Sequence, residues 1–127
     1  MELKGKNVFI TGSTRGIGLA MAHKFASLGS NIVLNGRREI DEVLVSEFSD
    51  YGVQVASISG DVSDSTDAKR MVEEAIEKLG SVDILVNNAG ITKDKLMLKL
   101  TEEDFEQVLK VNLVGAFNMT QAVLKPM

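Results

Sequence analysis

The sequence predicts an open α/β fold, in which short parallel strands alternate with helices around one sheet. Two observations carry this prediction. Short apolar runs alternate with longer segments whose apolar residues recur at helical spacing, and glycines mark the joins between them. In addition, a glycine-rich run directly follows the first apolar stretch and opens a helical segment. A strand, a glycine turn and a helix in this order are typical of a site that holds the phosphates of a nucleotide.

The residue pattern in the first half of the chain predicts three strands and two helices. We expect the strands over residues 7–10, 31–35 and 53–59, and the helices over residues 16–28 and 39–50. The apolar face predicted for the first helix consists of Ile17, Ala20, Met21, Phe25 and Leu28. The inward residues predicted for the second helix are Ile40, Val43, Leu44 and Phe48. Gly29 and Gly52 are expected to end these helices.

The second half predicts a helix that ends at Gly80, a strand over residues 82–86 and a long helix over residues 101–124. Either Ser63 or Ser65 can cap the first of these helices, and the run from Thr101 to Asp104 is typical of a capping box. The apolar stripe predicted for the long helix consists of Phe105, Leu109, Asn112, Ala116, Met119 and Val123. No fifth strand follows, so four strand–helix units are predicted.

The composition fits one globular domain. The 127 residues are 44% hydrophobic, which is enough for one core. Fourteen basic and eighteen acidic residues give a net charge of −4, which argues against nucleic acid and anionic membranes as partners. With no cysteine and one histidine, neither a disulfide nor a metal site is predicted. The chain starts without a secretory signal and has no run of membrane-spanning length, so we expect a cytoplasmic protein.

The glycine turn comprises Gly12, Gly16 and Gly18, spaced G-x-x-x-G-x-G. The generic dinucleotide fingerprint is G-x-G-x-x-G, and this run does not match it. Taken alone, the turn is as consistent with a tight connection as with a phosphate site, because glycine is common wherever φ is positive. Two further motifs end predicted strands: Asp61-Val62, and the run from Asn87 to Gly90. In open α/β sheets ligands bind at these carboxyl ends, although Asp and Asn are also ordinary turn residues.

The order and spacing of the glycine turn, Asp61-Val62, residues 87–90 and Asn112 resemble the short-chain dehydrogenase/reductase family over the whole chain. The resemblance implies the first part of a doubly wound, Rossmann-like parallel sheet with strand order 3-2-1-4 and helices on both faces. Residues 1–127 would then be the dinucleotide-binding part of a single domain, truncated before the fifth strand. It also implies that Asp61 meets the adenine ring and that Asn87 steadies the central strand. The implied cofactor-binding residues are Thr11, Gly12, Ser13, Thr14, Arg15, Gly16, Ile17, Gly18, Arg37, Asp61, Val62, Asn88, Ala89 and Gly90.

The end of the second predicted strand indicates which dinucleotide is bound. NAD-binding domains place a carboxylate there, on the ribose 2′-hydroxyl, whereas this chain continues from Asn35 with Gly36, Arg37 and Arg38. Arg37, helped by Arg15, can hold a 2′-phosphate through charge-assisted hydrogen bonds. We therefore predict NADP(H), the alternative being that these arginines are solvated loop residues.

Asn112 is the one catalytic residue that the resemblance assigns to this chain. A polar amide on an apolar face needs hydrogen-bond partners, since unsatisfied groups cost about 1–3 kcal/mol. The resemblance makes it the asparagine of the family's Asn-Ser-Tyr-Lys tetrad, where it holds a water in the proton relay, and a structural asparagine is the alternative. The only tyrosine is Tyr51, and Val55 stands where the tetrad's lysine would follow. We therefore expect the 127-residue chain alone to be inactive.

Within the family, residues 87–94, followed by Leu96, Met97 and the helix start at residues 101–105, are most similar to the 3-oxoacyl-[acyl-carrier-protein] reductases. Such enzymes use NADPH to reduce the 3-oxo group of acyl chains on carrier protein, in fatty-acid synthesis. They are typically homo-oligomers through the last helix predicted here. The alternatives are a short-chain dehydrogenase for sugars, steroids or acyl-CoA, and a non-catalytic dinucleotide-binding module.

Overall fold

A four-stranded parallel sheet forms the centre of the computed structural model, which describes residues 2–91 and 97–127. Its strands are β1 (Asn7–Ile10), β2 (Asn31–Gly36), β3 (Val55–Ser59) and β4 (Ile84–Val86). Their order in the sheet is β3-β2-β1-β4, and each neighbouring pair is parallel. The predicted strand order is confirmed. The carboxyl ends of all four strands therefore lie at one edge of the sheet.

Within residues 2–91 and 97–127, five α-helices connect and flank the strands. They are α1 (Gly16–Ser27), α2 (Glu42–Ser46), α3 (Ser65–Leu79), α4 (Glu102–Leu109) and α5 (Gly115–Leu124). A short 3₁₀ helix, Ser49–Tyr51, follows α2, and a π-helical turn, Lys110–Val114, joins α4 to α5. No helix in residues 2–91 and 97–127 is long and apolar enough to cross a membrane.

The strand side chains alternate between two cores, one on each face of the sheet. Val8 and Ile10 of β1 point to the face covered by α1 and the segment around α2. Phe9 and Val33 point to the opposite face, which α3 and α5 cover. The predicted helices on both faces are thus present, and all of β1 and residues 32–35 of β2 are buried because both of their faces are covered.

The start of two helices differs from the predictions because a carboxylate provides the cap. Asp64, and neither Ser63 nor Ser65, caps α3 by accepting hydrogen bonds from the backbone N–H groups of Thr66 and Asp67. Asp41 likewise accepts from Val43, so α2 begins at Glu42 and not at residue 39. The predicted capping box at Thr101 is confirmed.

The predicted apolar faces of two helices are partly wrong. In α1, Ile17 is 75% exposed, while the small residues Gly18, Ala22 and Ala26 face the sheet and allow a close approach. The last helical segment buries Met119 and Val123 of the predicted stripe but leaves Phe105, Leu109 and Asn112 exposed. Its buried residues are Asp104, Val111, Gly115, Asn118, Met119 and Val123.

A polar network joins the amino ends of the strands, opposite the predicted site. The side-chain amide of Asn7 donates to Leu79 O and to Ser81 Oγ, at 3.2 and 3.0 Å. Asn7 Oδ1 accepts from Asn31 Nδ2 at 2.9 Å, and Asn31 Oδ1 accepts from the backbone N–H of Gln54 at the same distance. These bonds connect β1, β2 and the start of β3 at this edge.

Candidate nucleotide-binding site

The glycine turn between β1 and α1 packs closely against the loop that follows β4. Gly12 has a φ of +62°, and a Cβ at this position would lie 2.9 Å from Ala89 Cα. A Cβ at Gly18 would lie 2.5 Å from Asn88 Nδ2. The two glycines are therefore required for contact between backbones, and Gly12 also for its positive φ.

Hydrogen bonds hold the two loops together. The hydroxyl of Thr11 accepts from the backbone N–H groups of Asn88 and Ala89, both at 2.9 Å. In return, Asn88 Nδ2 donates to Gly12 O at 3.0 Å. In the same loop Asn87 donates to Thr120 Oγ1 on α5 at 3.1 Å. The loop predicted to line the pocket is thereby fixed to both β1 and α5.

Asn35 is a site residue that the sequence reasoning missed. Its side chain is buried, and its Oδ1 accepts from the backbone N–H of Gly12 at 3.1 Å. Its Nδ2 donates to Ile58 O on β3 at 3.0 Å. The backbone of Asn35 also pairs with Ser13, whose N–H and hydroxyl lie 2.8 Å from Asn35 O and N. A polar amide directly after the buried run of β2 was the available signal.

The amino end of α1 is suited to an anion. Among residues 2–91 and 97–127, no side chain caps the helix at Arg15. The dipole of a 12-residue helix and the free N–H groups of its first turn favour negative charge there. The exposed guanidinium of Arg15 adds a cation at the same place.

A cleft of about 360 Å³ opens between the carboxyl ends of the strands and this helix end. It brings together eleven of the fourteen predicted cofactor residues: Gly12, Thr14, Arg15, Gly16, Ile17, Arg37, Asp61, Val62, Asn88, Ala89 and Gly90. The other three, Thr11, Ser13 and Gly18, are buried and support the turn. The lining residues that the prediction omitted are Asn35, Gly36, Gly60, Ile91 and Val111.

A second cavity of about 660 Å³ adjoins the cleft and shares Arg15 and Arg37 with it. Arg38 and the carboxylates of Glu39, Asp41 and Glu47 also line it. Two of these carboxylates have partners: Asp41 caps α2, and Glu47 lies 3.3 Å from His23 Nε2. The mouth of the combined site therefore carries three arginines.

The residues after β3 form a tight turn. The carboxylate of Asp61 accepts from the backbone N–H and the hydroxyl of Ser63, at 2.9 and 2.7 Å. Val62 is buried, and its carbonyl accepts from Asn118 Nδ2 at 3.0 Å. In this structure Asp61 thus makes the local bonds of a turn residue while also lining the cleft.

Asn112 lies in the π-helical turn and holds the loop after β4 by its backbone. Its Oδ1 accepts from the N–H of Ile91 at 2.8 Å, and its Nδ2 donates to the carbonyl of Ile91 at 3.0 Å. Asn112 itself is exposed, so these two bonds hold the loop rather than satisfy a buried amide. A π-helical turn is a feature often found at functional sites, and this one lies beside an opening lined by Arg15, Gly90, Ile91 and Asn112.

Tyr51 lies apart from Asn112, on the other side of the sheet. Its hydroxyl is 2.8 Å from His23 Nδ1, and its ring contacts Phe48. His23 is half-buried, and its ring stacks on Phe48 with centroids 4.3 Å apart. Residues 92–96, which include the end of the run 87–94 and Leu96 of the predicted reductase motif, lie outside the described residues. Within the part of the chain that the structure describes, no group of three or more acidic, histidine or cysteine side chains could hold a metal.

Comparison with known proteins decides the family. The family model described as short chain dehydrogenase matches residues 6–127. The chain belongs to this family. Short-chain dehydrogenases are oxidoreductases that bind a nicotinamide dinucleotide, and the cleft described above has the residues to hold one.

Individual relatives within the short-chain dehydrogenase family differ in cofactor. A curated 3-oxoacyl-[acyl-carrier-protein] reductase FabG from Aquifex aeolicus is 42% identical over 129 residues, covering 100% of this chain and 52% of the relative. Among solved structures, a blue fluorescent protein from a metagenomic library, in complex with NADPH, is 34% identical with a TM-score of 0.90. An NADH-dependent reductase, A1-R′, complexed with NAD, is 28% identical with a TM-score of 0.89.

Coverage is the same throughout these comparisons. The match includes 100% of this chain and 53% of the NADPH complex, and 98% of this chain and 53% of the NAD complex. The chain therefore spans about half the length of the relatives it matches.

Proposed function

We propose that residues 1–127 form the NADPH-binding part of a single domain in a reductase that acts on the 3-oxo group of acyl chains held on acyl carrier protein. The observation that carries the cofactor choice is the position of Arg37, which lines both the cleft and the adjoining cavity at the end of β2. A guanidinium there, next to Arg15, suits the 2′-phosphate that distinguishes NADPH from NADH.

The nearby carboxylates support the same choice. No acidic residue occurs at positions 35–38, where a carboxylate would bind the 2′-hydroxyl of NAD. Beyond these positions, Asp41 caps α2 and Glu47 pairs with His23. Of the charged residues around the site, Arg15, Arg37 and Asp61 line the cleft itself, whereas Glu39, Asp41 and Glu47 line only the adjoining cavity.

The proposed substrate class rests on similarity to the curated reductase family, at 42% identity for the relative from Aquifex aeolicus. In such a reaction NADPH supplies a hydride to the ketone carbon and a protein group supplies the proton to its oxygen. Tyr51 is bonded to His23 and lies away from Asn112, which supports a proton donor outside these 127 residues. Within this chain, Asn112 would position Ile91 beside the nicotinamide end of the cleft.

Titration calorimetry of the purified chain with NADPH and NADH tests the proposal. We expect NADPH to bind at least about tenfold more tightly, because one charge-assisted contact contributes about 1.5–3 kcal/mol. We also expect no oxidation of NADPH in the presence of a 3-oxoacyl thioester. Equal affinity for the two dinucleotides would refute the NADP assignment. Turnover of the thioester by this chain would refute the assignment of the proton donor elsewhere.

A second proposal concerns self-association. The α4–α5 apolar face, consisting of Phe105, Leu109, Leu113, Phe117 and Leu124, is 41–65% exposed. Contiguous exposed apolar residues of this size mark interaction surfaces. The spacing of four residues in most of this face suits packing against a second helix. We propose that the protein is a homo-oligomer through this face.

A further inference from the structure

An ion pair on α3 binds the backbone of the turn that follows β3. The carboxylate of Asp67 accepts a hydrogen bond from the backbone N–H of Asp61 at 2.6 Å. The guanidinium of Arg70, one turn later on the helix, donates to the carbonyl of Ser59 at 2.7 Å. The two side chains also bind each other, from Arg70 Nε to Asp67 Oδ1 at 2.8 Å. A single ion pair therefore satisfies the backbone groups on both sides of Gly60.

The charges of this pair strengthen its contacts. The hydrogen bond from Arg70 lowers the pKa of the Asp67 carboxyl below its ordinary value, and the backbone N–H of Asp61 lowers it further. Hydrogen bonds to a charged partner are shorter and stronger than neutral ones. Arg70 also donates to Glu74 at 2.9 Å, and Glu74 in turn pairs with Lys78 on the same helix.

Gly60 shows how closely the ion pair approaches the turn. A Cβ at this position would lie 2.5 Å from Met71 Sδ and 2.7 Å from Arg70 Nη2. The backbone at Gly60 is therefore packed directly against α3. On the far side of the turn, Asn118 holds the carbonyl of Val62 at 3.0 Å. Residues 59–62 are thus fixed by side chains from both α3 and α5.

We propose that Asp67 and Arg70 are positioning residues for the adenine end of the bound dinucleotide. The inference rests on the proposed function and on the expectation from the family resemblance that Asp61, which lines the cleft, meets the adenine ring. Asp67 and Arg70 are not among the lining residues of that cleft and act on it through the backbone of residues 59–61. Holding this backbone in its bound conformation before the ligand arrives reduces the ordering cost of binding.

Coulomb attraction and hydrogen-bond geometry predict opposite effects of Asp67→Asn on nucleotide affinity. The substitution removes a negative charge near a cleft for a polyanion, so Coulomb attraction alone would strengthen binding. Loss of the carboxylate that holds the Asp61 N–H and Arg70 would weaken binding of an adenine nucleotide. Glu74→Gln is the matched control, because it removes the same charge from the same helix and also loses a contact to Arg70.

The experiment is calorimetric titration of the chain with two probes, adenosine 2′,5′-bisphosphate and adenine-free pyrophosphate. We expect Asp67→Asn to weaken binding of adenosine 2′,5′-bisphosphate about tenfold, the scale of one lost charge-assisted hydrogen bond. The pyrophosphate affinity should change less than about twofold, because its proposed ligands lie on the glycine turn and α1. Glu74→Gln should leave both affinities within about twofold. Faster hydrogen exchange at the Asp61 amide in Asp67→Asn would report the lost contact without any ligand.

Three results would overturn the inference. The first is unchanged binding of adenosine 2′,5′-bisphosphate by Asp67→Asn, and the second is an equal loss in Glu74→Gln. If wild type binds neither probe nor NADPH, the proposed function fails and the inference fails with it. Should Asp67→Asn not fold, Arg70→Lys decides the question. Lysine keeps the positive charge but lacks the guanidinium fork that binds Ser59 and Asp67 together. We therefore expect Arg70→Lys to weaken binding of adenosine 2′,5′-bisphosphate and not of pyrophosphate. Affinities equal to those of wild type would refute the inference.

Discussion

The side-chain carbonyl of Asn35 accepts a hydrogen bond from the backbone N–H of Gly12, 3.1 Å away. Through its amide nitrogen the same side chain donates to Ile58 O at 3.0 Å. One side chain of β2 thus connects the glycine turn after β1 with the end of β3. Because Asn35 is only 2% exposed, solvent does not compete for either bond in the folded chain.

Replacing Asn35 with alanine should lower both stability and cofactor affinity. The change leaves the Gly12 N–H and Ile58 O unsatisfied, at a cost of about 1–3 kcal/mol in the free energy of unfolding. NADPH should bind more weakly because the glycine turn loses one of its fixed points. Urea unfolding followed by circular dichroism, and calorimetry with NADPH, measure the two effects. The exposed Gln54→Ala is the control, and equal behaviour of the two variants would contradict the role assigned to Asn35.

Gly12→Ala should abolish measurable NADPH binding. Both Gly12 and Gly52 have positive φ, at 62° and 70°, so alanine at either should cost about 1–2 kcal/mol of stability. Only at Gly12 would the new Cβ meet backbone, 2.9 Å from Ala89 Cα. At Gly52 it meets no atom within 4 Å in the part of the chain that the structure describes. If Gly52→Ala loses binding to the same extent, the close contact is not the cause.

Arg37→Asp should remove the preference for NADPH over NADH. The substitution replaces the guanidinium proposed to bind the 2′-phosphate with a repelling carboxylate, so the ratio of the two affinities should fall at least about tenfold. Arg38→Asp makes the same charge change at the next position, which lines the larger cavity but not the cleft. We expect Arg38→Asp to lower the affinity for NADPH and for NADH to a similar degree. An unchanged ratio in Arg37→Asp would sink the assignment.

The Asp67–Arg70 pair predicts a pH dependence of stability. The pKa of Asp67 is lowered in the folded chain, so its contribution is fully present above the ordinary value of about 3.9 and is lost as pH falls through the lower folded value. The difference in unfolding free energy between wild type and Asp67→Asn should therefore be constant near neutral pH and shrink below about pH 4. Urea unfolding across this range measures it. A difference that grows on acidification would have the wrong sign.

Phe117→Lys should shift the protein toward monomer. Phe117 is 61% exposed on the α4–α5 apolar face, so a lysine there costs little in the monomer but places charge in the proposed interface. Light scattering over a range of concentrations gives the mass. Gln107→Lys, at an exposed position of α4 outside this face, serves as the comparison. A wild-type mass of one chain at all concentrations would remove the proposal of a homo-oligomer.

The positions of the strands could be predicted because the evidence for them is local in sequence, whereas their order came from the family resemblance. Each strand is a short apolar run next to a glycine or polar end, and the glycine turn after β1 indicates where ligands bind. The residues that hold the site in place were harder to find. Asn35 contacts Met71, and Asp61 contacts Asp67, only after β2, β3 and α3 have packed together.

The face of the last helical segment was misassigned for a physical reason. A search for apolar spacing selects Phe105 and Leu109, which are 56% and 41% exposed. The face that packs on the sheet contains Gly115, whose missing side chain admits Val62, and Asn118, which donates to Val62 O. Close packing and a buried hydrogen bond gave this face less apolar character than the exposed one. The buried face of a helix therefore cannot be predicted from hydrophobicity alone where a second copy of the chain can cover the more apolar face.

The polar network of Asn7, Asn31 and Gln54 lies at the edge of the sheet opposite the nucleotide cleft. The hydrogen bonds that hold the strands together at that edge involve no residue that lines the cleft. An engineer could therefore exchange cleft residues such as Arg37, to change the cofactor, while the opposite edge keeps the strands in register. The same separation gives evolution a scaffold on which ligand preference can change without loss of the fold.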